Sequence, residues 1–403
     1  MNGWRECKLG DVCSDISYGY TESASLVPIG PKFLRITDIV PGRVNWETVP
    51  YCKISDADIS RYKLLAGDIV IARTGATTGY TYTIKPSDLK NDAVFASYLI
   101  RYRPNKLHAD PFFVGQILTS PIWKGFVEGI LSGSAQPGAN AKQFANFEFI
   151  LPPLPEQRAI AGVLSSLDDK IDLLHRQNKT LEGMAEAVFR EKFVVNSGKW
   201  PASLLSKHIE VYRGLSYKGS GLCSEGEGVP MHNLNSILEG GGYKYTGIKY
   251  YKGDFKDRHE IKPGTVIVAN TEQGHKLLLI GYPAIIPKLI GNNGIFSQHL
   301  FKLEIKSGSP LSNVFLYYLL KSQKTWEQVI GATNGSTVNM LATVGLENVE
   351  FNMPPSKLID SFTEFAKYTL DKQEQNISST RILTRLRNAL LPKLMSGELR
   401  VTL

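Results

Sequence analysis

Arg73, Thr74 and Thr77 follow a β-branched run in a glycine-rich loop. Side chains of those types hydrogen-bond base edges and phosphates without breaking any bond. Spacings that would break bonds are missing. No GxxxxGK(S/T) occurs, since Ser197-Gly198-Lys199-Trp200 lacks both the upstream glycine and the hydroxyl. The glycines of 220–228 do not give GxGxxG after a strand. Seven histidines are scattered, with none in HExxH or zinc-finger order, so no metal site is expected. Asn352-Met353-Pro354-Pro355 approaches the (D/N/S)-P-P-(Y/F) signature of amino-methyltransferases, but Met353 displaces the prolines and no aromatic follows. Glu304-x-Lys306 lacks the Pro-Asp that would complete a nuclease motif. The chain is expected not to be a catalyst.

The elements that position the loop occur twice. Trp4 returns as Trp200 and Leu9 as Leu205, each 196 residues on (200 − 4, 205 − 9). The run 65–72 returns as 262–269, and Phe149-x-x-Pro152-Pro153 as Phe351-x-x-Pro354-Pro355. A repeat this long is a duplicated domain, because solenoid periods are about 20–50 residues. Two similar surfaces in one chain suit a ligand that offers two sites. Each copy is rich in Gly, Thr, Tyr and β-branched residues. Short buried strands, such as 68–72 and 265–269, mix with helical patches at 111–128 and 311–330, which predicts an α+β globule.

Each globule ends at a proline pair, a natural junction between strand and helix. After the first pair, residues 156–195 contain no Pro and glycine only at 162 and 183. Ile160, Leu164, Leu167, Ile171, Leu174, Asn178, Leu181, Ala185 and Val188 are spaced 4, 3, 4, 3, 4, 3, 4, 3, an unbroken heptad pattern. Forty helical residues would extend about 60 Å. A second stretch, 356–394, carries Phe362, Ala366, Leu370, Gln373, Ile377 and Thr380 at heptad spacing, after which Leu383, Leu386 and Leu390 shift the register. The pair predicts an intramolecular coiled coil, against the alternative of two surface helices each packed on its own globule. The expected divisions are 1–153, 154–196, 197–355 and 356–403.

The chain has 403 residues, more than one hydrophobic core usually supports. Its 46 Lys and Arg against 38 Asp and Glu give +8, which suits a polyanionic partner and equally a basic protein with none. Cys7, Cys13, Cys52 and Cys223 show no metal-ligand spacing and no disulfide framework, so reduced thiols in a cytoplasmic protein are expected. The N-terminal residues lack a signal-peptide core, and the apolar stretch 277–291 is broken by Gly281, Pro283 and Pro287. No membrane partner is expected.

Two α+β globules, each followed by a long helix after a Pro-Pro junction, resemble the specificity (S) subunits of type I restriction–modification systems. The most specific match is Leu151-Pro152-Pro153-Leu154-Pro155-Glu156-Gln157-Arg158-Ala159-Ile160, similar to the start of that family's central conserved helix. Asp168-Asp169-Lys170-Ile171-Asp172, the strand-loop 67–75 and the ending Leu394-Met395-Ser396-Gly397-Glu398-Leu399-Arg400 are also similar to family motifs. The second copy departs: Ser356-Lys357-Leu358 follows its prolines, and Arg73-Thr74-Gly75 becomes Asn270-Thr271-Glu272. The second departure is expected if the globules read different sequences.

The resemblance implies two target recognition domains, each reading half of a split, asymmetric double-stranded DNA sequence. Two long antiparallel helices between them would set the spacer and hold two methyltransferase (modification) subunits. Those subunits would bring S-adenosylmethionine and methylate adenine at N6. Restriction subunits would add ATP- and Mg-dependent translocation and cleavage. No cofactor is expected in this chain. Candidate DNA contacts in the first copy are Tyr18, Tyr20, Arg35, Thr37, Arg73, Thr74, Thr77, Gln136, Asn140, Lys142 and Gln143. Repeat symmetry nominates Arg213, Tyr217, Lys218, His232, Asn233, Asn235, Asn270, Thr271, Gln273, His275, Lys276, Thr337 and Asn339 in the second. Arg73 equally suits a structural ion pair. Two other classes remain at this point. One is an architectural coiled-coil dumbbell that recognises no DNA, and the other is an autonomous enzyme.

Overall fold

Alternate faces of one short strand are buried in two different clusters, and that sets the architecture of the first copy. In the computed structural model, which describes residues 3–40, 42–131, 138–274, 276–335 and 338–401, the strand Ile69–Ala72 is wholly buried. Ile69 and Ile71 pack with Leu9, Phe113, Trp123 and Phe144. Val70 and Ala72 pack on the opposite face with Leu34, Phe95 and Leu99. A period of two with both faces covered explains why the run reads as continuously apolar.

Contacts gather the chain into two units, Met1–Leu173 with Thr380–Leu403, and Leu174–Ser379. In the first unit a four-stranded antiparallel sheet is ordered Cys13–Tyr18, Leu99–Pro104, Ile69–Ala72, Thr81–Thr83. A parallel pair, Lys32–Leu34 with Ala93–Phe95, lies beside it in sequence. Arg5–Lys8 pairs with Glu148–Leu151, the strand that runs into Pro152-Pro153. The second unit repeats these pairings and extends them, its parallel pair lying inside a five-stranded sheet. Its sheet is ordered Ile209–Arg213, Leu300–Ile305, Val266–Ala269, Pro283–Ile285, its parallel pair is Val229–His232 with Gly294–Phe296, and Ala202–Leu204 pairs with Glu350–Asn352. It adds Thr271–Gln273, which pairs with Val338–Leu341. In the first unit the corresponding contact is a single bridge, Thr74 to Gly138.

The first long helix is Leu154–Phe189, 36 residues, and the second is Ser356–Ser396, 41 residues. Within each unit, half of one runs antiparallel to half of the other. In the first unit Ile160 and Leu164 share a core with Leu391, Leu394 and Met395, and Asp168 pairs with Arg387 at 3.4 Å. In the second unit the Phe189 and Phe362 rings meet at 5.3 Å. There Asn178 and Gln373 each donate a side-chain amide to the other's backbone carbonyl, at 3.2 and 3.0 Å, and Asn376 donates to the Asn178 side chain at 2.8 Å.

All the seam positions expected on the first helix are buried or half-buried. On the second helix Phe362 and Ala366 are buried as expected, and beyond them the seam is turned by one residue. Thr369 and Asn376 are buried, while the expected Leu370 and Ile377 are half-buried. The polar residues tolerate burial because each finds a partner: the Thr369 hydroxyl donates to the Ala366 carbonyl at 2.8 Å, and Asn376 has Asn178. Leu386 is 45% exposed, and Leu391 takes the inward position instead. Among the described residues no helix is long and apolar enough to cross a membrane, and no group of His, Cys, Asp or Glu is arranged to hold a metal ion.

Candidate nucleic-acid interface

Arg73 leaves the buried strand and clasps a turn. Its backbone N–H donates to the Tyr98 carbonyl at 3.1 Å, and its Nε donates to the Ser97 carbonyl at 3.0 Å. Its own carbonyl accepts from Ala139 at 2.9 Å. The guanidinium lies 5.1 Å from the centre of the Tyr18 ring, a cation–π contact, and the Tyr18 hydroxyl accepts the Ala141 N–H at 3.0 Å. Tyr18, Arg73, Thr74 and Asn140, distant in sequence, thus meet at one edge of the first unit. Asn140 and Gln143 cap each other's backbone N–H at 2.9 Å and start the helix Ala141–Ala145, which leaves Lys142 exposed. Thr77 is half-buried in the turn Gly75–Thr77.

Three other nominees of the first unit lie elsewhere or do other work. Arg35 forms a two-pronged pair with Asp38, at 3.1 and 3.0 Å, and fixes the start of the helix Ile36–Ile39. Thr37 is exposed on that helix. Tyr20 is half-buried, with its ring 5.2 Å from that of Tyr62. Gln136 lies outside the described residues, as do His275 and Thr337 of the second unit.

In the second unit Asn270 repeats the bonding of Arg73. Its N–H donates to the His299 carbonyl at 3.1 Å, its Nδ2 to the Gln298 carbonyl at 3.0 Å, and its carbonyl accepts from Leu341 at 2.9 Å. Asn270 and Thr271 are buried, so they hold the turn from behind; the Thr271 hydroxyl lies 3.0 Å from Nδ1 of His299. The divergent Glu272 is buried as well. Its carboxylate accepts the N–H groups of Leu278, Leu279 and Ile280 at 2.9, 2.8 and 2.9 Å and closes the loop between them. The contrast between Arg73-Thr74-Gly75 and Asn270-Thr271-Glu272, expected to encode different targets, therefore includes residues that shape each loop. Gln273 and Lys276 are exposed, and Asn339 donates to the Gly274 carbonyl at 2.7 Å.

Arg213 and Lys218 are exposed, and the Tyr217 hydroxyl accepts from Lys249 at 3.2 Å. His232 is fully buried, with Nδ1 2.8 Å from the Tyr243 hydroxyl, and burial pushes its imidazole down to about 4. Asn233 donates to the Gly247 carbonyl at 2.7 Å and accepts from the N–H of Asn235, which leaves only Asn235 of this trio exposed. Sequence reasoning missed Gly19 and Gly214. A Cβ at either would lie 2.2 Å from the Ala96 carbonyl oxygen or 2.1 Å from that of Ser297. The available signal was their recurrence after matching strand ends, Tyr18-Gly19 and Arg213-Gly214.

Known proteins match most of the length of the chain. A protein-family model described as the type I restriction modification DNA specificity domain matches residues 1–183 and 223–377. A Methanocaldococcus jannaschii protein named as the putative type I restriction enzyme MjaX specificity subunit is 24% identical, over 99% of this chain and 94% of its own length. The Haemophilus influenzae type I restriction enzyme HindI specificity subunit is 21% identical, over 99% of this chain and all of its own. The crystal structure of the type I restriction-modification S subunit from M. genitalium matches 98% of this chain and 96% of its own at 14% identity, with a TM-score of 0.64, a likeness of fold.

Proposed function

The chain belongs to the type I restriction modification DNA specificity family and is a DNA specificity subunit, and from that premise we propose that each unit reads one half of a bipartite, asymmetric duplex target. The observation that carries this is the paired clasp. Arg73 and Asn270 make the same three main-chain and side-chain bonds in the two units, yet different residues surround them. One frame used twice with different side chains suits two half-sites of different sequence. Exposed Lys142, Arg213, Lys218 and Lys276 are available for phosphates, which position a reader without specifying bases.

The long helices would hold two methyltransferase subunits and set the spacer. Tyr368 is 70% and Ile382 63% exposed on the second long helix, large apolar side chains of the kind a partner subunit covers. S-adenosylmethionine would enter with the methyltransferase subunits, and ATP and Mg with restriction subunits, the adenine methylation and cleavage being theirs. The test is to co-produce the chain with its methyltransferase subunits and sequence the methylated sites. The expected motif has two defined halves around an unspecified gap of fixed length. A single uninterrupted motif, or methylation without sequence preference, would sink the reading.

A further inference from the structure

We propose that Ser97 and Tyr98 of the first unit, and Gln298 and His299 of the second, are the base-reading tips of the two units. This rests on the bipartite-DNA reading above and names the side chains that carry it. Each pair occupies the middle of a four-residue turn, closed by Leu99 N–H to the Ala96 carbonyl at 2.8 Å and by Leu300 N–H to the Ser297 carbonyl at 3.0 Å. The turn is where the chain passes from the parallel strand pair to the central antiparallel sheet.

The turn is held through its backbone. Ser97 N–H donates to Tyr20 and Gln298 N–H to Leu215, both at 2.8 Å. The carbonyls of all four tip residues accept from Arg73 or Asn270. Gly19 and Gly214 form the floor, so close beneath the turn that no side chain fits between. With all four carbonyls and the Ser97 and Gln298 N–H groups bound inward, the side chains of Tyr98, Gln298 and His299 face outward and Ser97 is half-buried. Tyr98 is 59% exposed, and Gln298 and His299 are exposed. In the second unit Asn270 Oδ1 and Ser297 Oγ are buried directly behind the tip, with no hydrogen-bond partner among the described residues.

A structural turn would need none of this pairing of identical seat with different occupant. The occupants are suited to base edges. A glutamine amide donates and accepts at once, as adenine N7 and N6 require, and serine, tyrosine and histidine offer single donors or acceptors. His299 is steadied by Thr271 at Nδ1 and by the Gln298 amide 3.4 Å from Nε2, so two of the second tip's polar groups are already oriented.

The experiment is selection of sites from a randomised duplex library by the full chain in its assembled complex. Gln298→Ala should lose on the order of tenfold discrimination at one or two positions of one half-site, with the other half unchanged. Tyr98→Ala should relax the opposite half. If both variants select the unaltered motif, or weaken all sequences alike, the tips do not read bases and the proposal falls while the bipartite reading stands. If the unaltered complex selects no bipartite motif, the reading itself fails and the proposal with it. Should an alanine variant melt below the parent, Gln298→Glu and Tyr98→Phe keep the turn and are judged by the same selection.

Discussion

Burial sets the titration of His232, and with it a pH dependence that belongs to one residue. The folded ring sits near 4, against 6.5 for an unperturbed imidazole, because desolvation disfavours its charged form. Between those values the unfolded chain binds the proton and the folded one does not. The stabilisation is therefore complete above about pH 6.5 and is lost as pH falls towards 4, a loss of about 3 kcal/mol. The pKa values of His208 and His259 are also lowered, first by desolvation and then by neighbouring cations, so the difference between proteins is diagnostic. The melting temperature of the parent should fall more steeply between pH 6.5 and 4 than that of His232→Asn; parallel slopes would remove His232 as the source. This residue also marks a limit of sequence reading. His232 ends a short strand and Arg73 directly follows one, and composition assigns these two polar residues alike. Only the packing of Tyr243 against His232, and of Tyr18 against Arg73, turns one inward and leaves the other at the edge.

Along the long helices the heptad spacing made length and pairing legible. Which polar residue sits inside was not, because a straight helix drifts from a 3.5-residue repeat and hydrogen bonds decide the remainder. Thr369 and Asn376 displaced Leu370 and Ile377 by satisfying themselves. The Asn178, Gln373 and Asn376 cluster should behave as a unit. Asn178→Leu alone strands the Asn376 amide and should cost about 1–3 kcal/mol. Replacing all three by leucine removes the stranded partners and should recover most of that loss, while weakening the preference for one register. Urea melts of the single and triple variants decide it, and a triple variant less stable than the single would contradict the account. The first long helix is also pinned once within each unit. Lys85 bridges Asp169 and Asp172 at 2.9 and 3.0 Å in the first unit, and Lys321 bridges Glu182 and Glu186 in the second.

For the molecule as a whole, the duplication was readable because the apolar runs ending at Ala72 and Ala269 are bounded by glycines and recur at nearly constant offset. The grouping of contacts was not readable, since no local signal marks where each long helix passes from one unit to the other. If the helices set the spacer, deleting one heptad from each shortens them by about 10 Å, at about 1.5 Å per residue. The methylated motif should then lose roughly three base pairs of gap, at about 3.4 Å each; an unchanged gap would exclude the helices as the ruler. The units also differ in continuity. The second is one uninterrupted stretch, Leu174–Ser379, whereas the core of the first includes Leu391, Leu394 and Met395. On the ribosome the usual order of folding is N-terminal first. Here the unit begun first is completed last: the core around Ile160 and Leu164 lacks Leu391, Leu394 and Met395 until the last turns of the second helix have been synthesised. A chain released from the ribosome only as far as residue 379 would hold every residue of the second unit and a first unit whose core lacks those three side chains.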